Sequence, residues 1–241
     1  MNKTQYQFGV TESFPCAYLN DQKERLLVAV DDALKDVAHY ETLMQLGFRR
    51  SKDHIYRPHC ERCQACQSIR IPVTRFKPSR SQKRLLKKNQ NLMVNFIQAP
   101  LSDMKWQQYY QMFSRYIEQR HTDGTMYPPD VEQFNSLLQT DWMLTGFLEV
   151  YQNEKLVAVA IVDCMSDSIS AVYTFFEPDA AHLSLGTFAI LELIRLANVR
   201  RLSYLYLGYQ VDECRKMNYK TRFLPHQRLI QNHWWDVEKT T

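Results

Sequence analysis

From Arg62 to Ser102 the chain carries nine lysines or arginines and not one aspartate or glutamate, and three cysteines, Cys60, Cys63 and Cys66, stand at its threshold. A stretch of one sign cannot neutralise itself through internal ion pairs, so it must face outward, toward solvent or toward a polyanion. Solvated faces normally mix both signs. A single-signed stretch beside a thiol cluster points to a phosphate-rich partner, bound with an affinity that falls steeply with salt.

The whole chain sets the bounds on that reading. Its 241 residues, 45% of them apolar, suffice for one large domain or two modest ones with a sizeable core. The net charge is only +4, so the acid-free stretch concentrates the positive charge and leaves the other faces near neutral or acidic. The first thirty residues include Glu12, Asp21 and Glu24 without a continuous apolar run. The longest apolar run, residues 156–162, is far too short to cross a bilayer, so the expectation is a cytoplasmic protein with no membrane partner. There, six cysteines read as reduced thiols or metal ligands rather than disulfides. Six glycines, in neither the G-x-G-x-x-G nor the G-x-x-x-x-G-K-S/T pattern, exclude a glycine-rich nucleotide cradle.

Along the chain, residues 14–30 lead from PhePro through Cys16 and a polar turn into an apolar strand. Asp31 or Asp32 is expected to cap a helix running to Leu46, with Gly47 as its stop. Pro58 turns the backbone away from helix before the cysteines, and residues 68–73 alternate like a strand. Ser79 or Ser81 then caps a helix that presents Arg80, Lys83, Arg84, Lys87 and Lys88 as one cationic face. Composition shifts near Ala99-Pro100. A helix follows with Trp106, Tyr109, Tyr110, Phe113 and Ile117 at helical spacing, then the polar loop ArgHisThrAspGly at 120–124 and a helix capped by Asp130. Three strands at 145–151, 155–163 and 168–176, an apolar helix from about 186 to 199 and a strand at 202–207 complete the pattern.

The predicted architecture is therefore α+β. It places a cysteine-containing basic subdomain over residues 1–100 and an N-acetyltransferase-like (GNAT-like) domain with a mostly antiparallel sheet over 101–241.

The cysteine spacing fits part of an iron–sulfur or zinc ligand set, but position 70, where a compact ferredoxin would place its next cysteine, is Arg70. Cys16 is the candidate fourth ligand to Cys60, Cys63 and Cys66, with His54 and His59 nearer in sequence. Four reduced thiols without metal fit equally well. Cys164 and Cys214 read as ordinary small apolar residues. At the strand-to-helix junction, SerLeuGlyThr at 184–187 has one glycine where coenzyme A-dependent acetyltransferases carry two in Q/R-x-x-G-x-G/A, so a pyrophosphate clasp is not expected.

Several blocks, in order, resemble one family. They are residues 47–58 (GlyPheArgArgSerLysAspHisIleTyrArgPro), CysGlnAlaCysGlnSerIleArgIlePro at 63–72, SerArgSerGlnLysArg at 79–84, ValTyrThrPhePheGluPro at 172–178, SerLeuGlyThrPheAlaIle at 184–190, TyrLeuGlyTyr at 206–209 and LysMetAsnTyrLys at 216–220. The family is the aminoacyl-tRNA-protein transferases, and within it the chain is most similar to the bacterial aspartate/glutamate leucyltransferases. That resemblance implies transfer of leucine from leucyl-tRNA to proteins or peptides with an N-terminal Asp or Glu, marking them for N-degron proteolysis. It implies no cofactor for the transfer itself. Eukaryotic members carry a C-x-x-C in the N-terminal segment, implicated in an iron–sulfur cluster; here Leu19 stands where the second thiol would be.

Aminolysis of an aminoacyl ester needs positioning and a weak base rather than a strong nucleophile, since an α-amine titrates at about 7.7 to 8.0. On this reading Arg75, Arg80, Lys83, Arg84, Lys87 and Lys88 form a tRNA track, and Ser184, Leu185, Gly186 and Thr187 meet the acceptor end. Lys220 and Arg222 contact phosphate or carboxylate. Asp163 and Glu177 are candidates for positioning or deprotonating the amine, with Tyr173 as a hydrogen-bonder. Two other functions compete: a coenzyme A-dependent N-acetyltransferase, and a metal-stabilised RNA-binding protein without catalysis.

Overall fold

The structure, a computed structural model, describes residues 5–124, 126–138 and 140–238. The chain begins with β1 (Phe8–Val10), β2 (Phe14–Pro15), β3 (Lys23–Glu24), β4 (Leu26–Ala29), α1 (Val37–Gln45), β5 (Arg49–Ser51) and β6 (His54–Pro58). There follow β7 (Gln67–Pro72), α2 (Arg80–Lys88), β8 (Met93–Gln98), α3 (Asp103–Arg120) and α4 (Val131–Leu138). The last part holds β9 (Leu144–Gln152), β10 (Lys155–Cys164), β11 (Ser168–Phe176), α5 (Leu185–Val199), β12 (Tyr204–Gln210), β13 (His226–Ile230) and β14 (His233–Val237).

Eight strands form one sheet in the order β14-β13-β7-β12-β11-β10-β9-β8. Every neighbouring pair is antiparallel except β11 with β12. A parallel pair needs a crossover, and α5 provides it. The meander β9-β10-β11, the helix and the return strand appear where the alternation and apolar runs place them. β10 is apolar and buried along almost its whole length because helices cover both faces of the sheet. α5 and its neighbours pack against Leu148, Val150, Ala158 and Ala160. The opposite face, Phe147, Val159, Ile161 and Phe175, receives Tyr109, Phe113 and Ile117 of α3 and Phe134 of α4.

A second sheet, β1-β4-β6-β5, encloses a third core with Tyr40 and Met44 of α1, and Tyr206 of β12 reaches into it. Residues 67–98, on the N-terminal side of the composition shift, supply β7 and β8 to the large sheet.

Capping explains most helix boundaries. Ser79 accepts from the Gln82 N–H while the Gln82 side chain accepts from the Ser79 N–H, a reciprocal cap that contributes about 1 kcal/mol. Ser102 and Asp130 cap α3 and α4. The first helix departs from expectation: Asp32 opens only a short 3-10 turn, and Asp36, whose carboxylate accepts from the His39 N–H, is the true cap. Asp31 is extended ahead of the 3-10 turn just as Asp36 is ahead of α1, but only the Asp36 side chain makes a capping bond.

Candidate active site

Where β11 and β12 pair, they do so over a short register only, Ser168–Ser170 against Tyr204–Tyr206. Beyond it they part. β12 breaks register between Tyr206 and Gly208, and Gly208 takes φ +84, a conformation glycine adopts without steric cost. A Cβ at Gly208 would lie 1.8 Å from Nη1 of Arg49, so the missing side chain is what admits the guanidinium. Arg49 Nη2 donates to the Ala171 carbonyl at 2.8 Å, using the acceptor that strand parting leaves free. A cation is thereby fixed in the gap between two strands.

The gap opens into a cavity of about 660 Å³. β11 contributes Ala171, Val172, Tyr173 and Thr174 to its wall, α5 contributes Gly186, Thr187 and Ile190, and β12 contributes Leu207 and Tyr209. Arg49, Lys52 and Lys220 make it cationic, while Lys216 lines it with its ammonium paired to Asp123 at 2.6 Å. Lys220 is buried, its ammonium donating to the Tyr209 carbonyl; burial, and secondarily the Arg49 guanidinium, push its pKa from 10.5 down to about 7. Tyr173 sits in the wall with its phenol pushed up by burial. Ser184 adopts the left-handed region at φ 52, ψ 46 and its hydroxyl makes no capping bond to α5. The first-turn N–H groups of α5 lack intrahelical partners by construction. At Gly186 a Cβ would meet only Phe176 Cε1, at 4.0 Å.

α2 leads directly to this opening. Leu85 and Leu86 bury against the core around α5, leaving Arg80, Lys83, Arg84, Lys87 and Lys88 exposed on the other side. Lys88 Nζ donates to the His182 carbonyl at 2.8 Å and Asn89 Nδ2 to the Leu183 carbonyl at 2.9 Å, which ties the end of the basic helix to the residues just before Ser184. At the other end, Gln82 Nε2 donates to the Arg222 carbonyl at 3.1 Å and brings exposed Arg222 alongside.

The structure sorts the sequence candidates. Tyr173, Gly186, Thr187 and Lys220 share the cavity, with Ser184 and Leu185 adjoining it in sequence. Asp163 lies beneath it, fully buried, accepting from Arg50 Nε at 2.8 Å and from the Tyr40 hydroxyl at 3.3 Å. Glu177 accepts from Arg115 Nε at 3.1 Å and from its Nη2 at 2.6 Å, away from the cavity wall. Arg75 is paired with Asp236 and Glu238. Sequence reasoning missed Arg49. Its signal was the ArgArg pair after Gly47, legible only with the knowledge that Gly208 makes room for one of the two.

Cys16, Cys60 and Cys63 all lie near Cys66, whose thiol burial, reinforced by those neighbours and Glu24, pushes up to about 12. Of the two readings of these four residues, a metal centre and four reduced thiols, the metal centre is not supported. Among the described residues no three His, Cys, Asp or Glu side chains converge to hold an ion. Cys60, Cys63 and Cys66 instead border a second cavity of about 540 Å³. The Tyr209 hydroxyl, donating to the Gly47 carbonyl at 2.9 Å, belongs to the walls of both cavities. Among the described residues no helix is long and apolar enough to cross a membrane.

The family model described as "Arginine-tRNA-protein transferase, N terminus" matches residues 14–84, and that described as "Arginine-tRNA-protein transferase, C terminus" matches residues 108–230. A protein of Pseudoalteromonas atlantica named "Aspartate/glutamate leucyltransferase" is 46% identical over 233 residues, 97% of this chain and 98% of the relative. Proteins of the same name from Aeromonas hydrophila and Vibrio cholerae are 49% and 46% identical, covering 95% of this chain and 94% and 97% of theirs. Among solved structures, the L-PGS of Bacillus licheniformis aligns with a TM-score of 0.45 at 12% identity over 73% of this chain and 50% of that one, too distant to carry an argument. Matched along nearly its whole length by these relatives and across both halves by the family models, the chain belongs to the aspartate/glutamate leucyltransferase family of aminoacyl-tRNA-protein transferases.

Proposed function

We propose that this protein transfers leucine from leucyl-tRNA to the N-terminal Asp or Glu of acceptor proteins, marking them for N-degron proteolysis in the cytoplasm. One observation carries the reading: the end of the acid-free helix α2 is hydrogen-bonded to the residues that precede the Ser184–Thr187 turn, and that turn opens into a cationic cavity. A charged tRNA laid on Arg80, Lys83, Arg84, Lys87, Lys88 and Arg222 would run its 3′ end toward Gly186, where a residue without a side chain leaves room for the ester. The unpartnered N–H groups of α5 are suited to the oxygen on which charge develops as the ester is attacked. The acceptor enters the same cavity from the side of Lys52, a cation that matches an acidic N-terminal residue. The succession of meander, crossover helix and parallel strand supports an N-acetyltransferase-like ancestry for this half of the fold.

In the reaction the acceptor nitrogen forms an amide bond to the leucyl carbonyl carbon, and the ester bond to the terminal ribose breaks. The ester is already activated, so positioning carries most of the work. Incubation with radiolabelled leucyl-tRNA and an Asp-initiated peptide tests the proposal: labelled peptide is expected, and none with acetyl-coenzyme A as donor. Absence of labelled peptide would overturn it, and arginyl-tRNA in the same assay measures donor choice.

A further inference from the structure

Two cations, Arg49 and Lys220, share one wall of the cavity, and among the described residues no carboxylate pairs with either. Arg49 is held by the Ala171 carbonyl and by the space at Gly208; Lys220 is held by the Tyr209 carbonyl and touches the Met217 sulfur at 3.8 Å. Buried charges are ordinarily paired within the protein. Here the counter-charge is missing, and the groups facing Lys220 are a second cation, Arg49, the thiols Cys66 and Cys214, and the Tyr219 ring at 5.9 Å. The pair is arranged for an anion that arrives from outside.

We propose that the side-chain carboxylate of the acceptor's N-terminal Asp or Glu seats against Arg49 beside Lys220, and that Lys220, as the neutral amine, takes the proton from the acceptor's α-ammonium and then pairs with the same carboxylate, so that selection and activation occur at one place. The inference rests on the leucyl-transfer reading and names the residues that would enforce its acceptor class. In an N-terminal Asp the carboxylate and the α-nitrogen are only a few bonds apart, so one buried amine reaches both. The Lys220 lone pair accepts one proton from the ammonium. The freed nitrogen attacks the leucyl carbonyl carbon, the bond to the ribose oxygen breaks, and that oxygen leaves with a second proton from the nitrogen. Lys220 later returns its proton to solvent.

The proton-transfer energetics agree. Burial and the Arg49 guanidinium bring Lys220 down to about 7, close to the usual range of an α-ammonium at about 7.7 to 8.0. A carboxylate between Arg49 and Lys220 offsets the Arg49 repulsion and stabilises the lysinium that forms when the neutral Lys220 amine takes the proton. An Asn-initiated peptide, lacking the charge, leaves Lys220 a weaker base.

Two measurements test this. Single-turnover transfer by the wild-type enzyme first establishes the leucyl-transfer reading itself; if that fails, the reading is at fault rather than this inference. Given transfer, Lys220→Arg keeps a cation that cannot lose its proton, so the rate at saturating peptide falls about 100-fold while the KM for an Asp-initiated peptide stays near wild type. Lys220→Met loses both, and retained leucyl-tRNA binding reports that it is folded. The second measurement uses the wild-type chain: acetylation of Lys220 by acetic anhydride, followed by mass spectrometry, is expected to show a midpoint near pH 7 that rises when an Asp-initiated peptide is added and does not rise with its Asn counterpart. Wild-type rates for Lys220→Arg, or a Lys220 midpoint alongside the surface lysines and indifferent to the peptide, would overturn the assignment.

Discussion

Asn89 Nδ2 and the Leu183 carbonyl, 94 residues apart in sequence and 2.9 Å apart in space, hold the end of the basic helix against the turn that opens the cavity. Asn89 is 2% exposed, so this bond is made out of water. Asn89→Ala leaves the Leu183 carbonyl without its donor and should cost about 1 to 3 kcal/mol in a denaturant melt. Under conditions where the variant is fully folded, kcat/KM for leucyl-tRNA is expected to fall while the KM for peptide does not. Equal losses on both substrates would mean that the contact merely stabilises the fold.

Gly186 offers a separation of stability from activity. A methyl group there meets nothing closer than Phe176 Cε1 at 4.0 Å and sits in the first turn of α5. Gly186→Ala should therefore leave stability unchanged or raise it by up to about 1 kcal/mol. Gly186→Val, which fills the cavity mouth, is expected to lower transfer at least about tenfold with the melting temperature preserved. Full activity in the valine variant would remove the turn from the path of the ester.

The exposed cations of α2 differ from Arg75 in having no acidic partners among the described residues. Replacing Lys83 or Lys87 by Ala should reduce the slope of log affinity for tRNA against log salt by about 1 for each phosphate that is no longer neutralised. Arg75→Ala should leave the slope unaltered, because Asp236 and Glu238 already neutralise that guanidinium. Filter binding across a salt series distinguishes them.

Asp163 and Arg50 form an ion pair with both side chains 1% exposed. Asp163→Ala strands a buried guanidinium and is expected to destabilise the protein by about 3 to 5 kcal/mol, lowering activity through the folded fraction. The double change Arg50→Met with Asp163→Leu should recover most of that loss in a thermal melt. If Asp163→Ala folds normally and only the chemical step is lost, the carboxylate serves the amine directly.

Much of this protein is written in short-range code. The Ser79/Gln82 cap, the Ser102 and Asp130 caps, the three meander strands and α5 follow from neighbours within a turn or two, because capping and alternation depend on nothing farther away. The cationic face of α2 is equally local: its charges are closely spaced, and no acid nearby can cancel them. Family blocks were legible for the same reason. Each is a contiguous run.

Tertiary structure decided what those residues do. Whether an acid is a base or a buried counter-ion depends on what lies across the fold, and Asp163 meets Arg50, 113 residues away. Likewise Arg49 becomes a cavity cation only because Gly208 and the Ala171 carbonyl, both more than a hundred positions downstream, make room for it and hold it. The insertion of β7 between β12 and β13 leaves no mark in the sequence of the three strands, since strand partners are chosen by burial and register rather than by spacing along the chain. Local sequence specifies which groups the chain owns. Long-range pairing alone specifies which of them share a wall, and thereby which charges go unpaired.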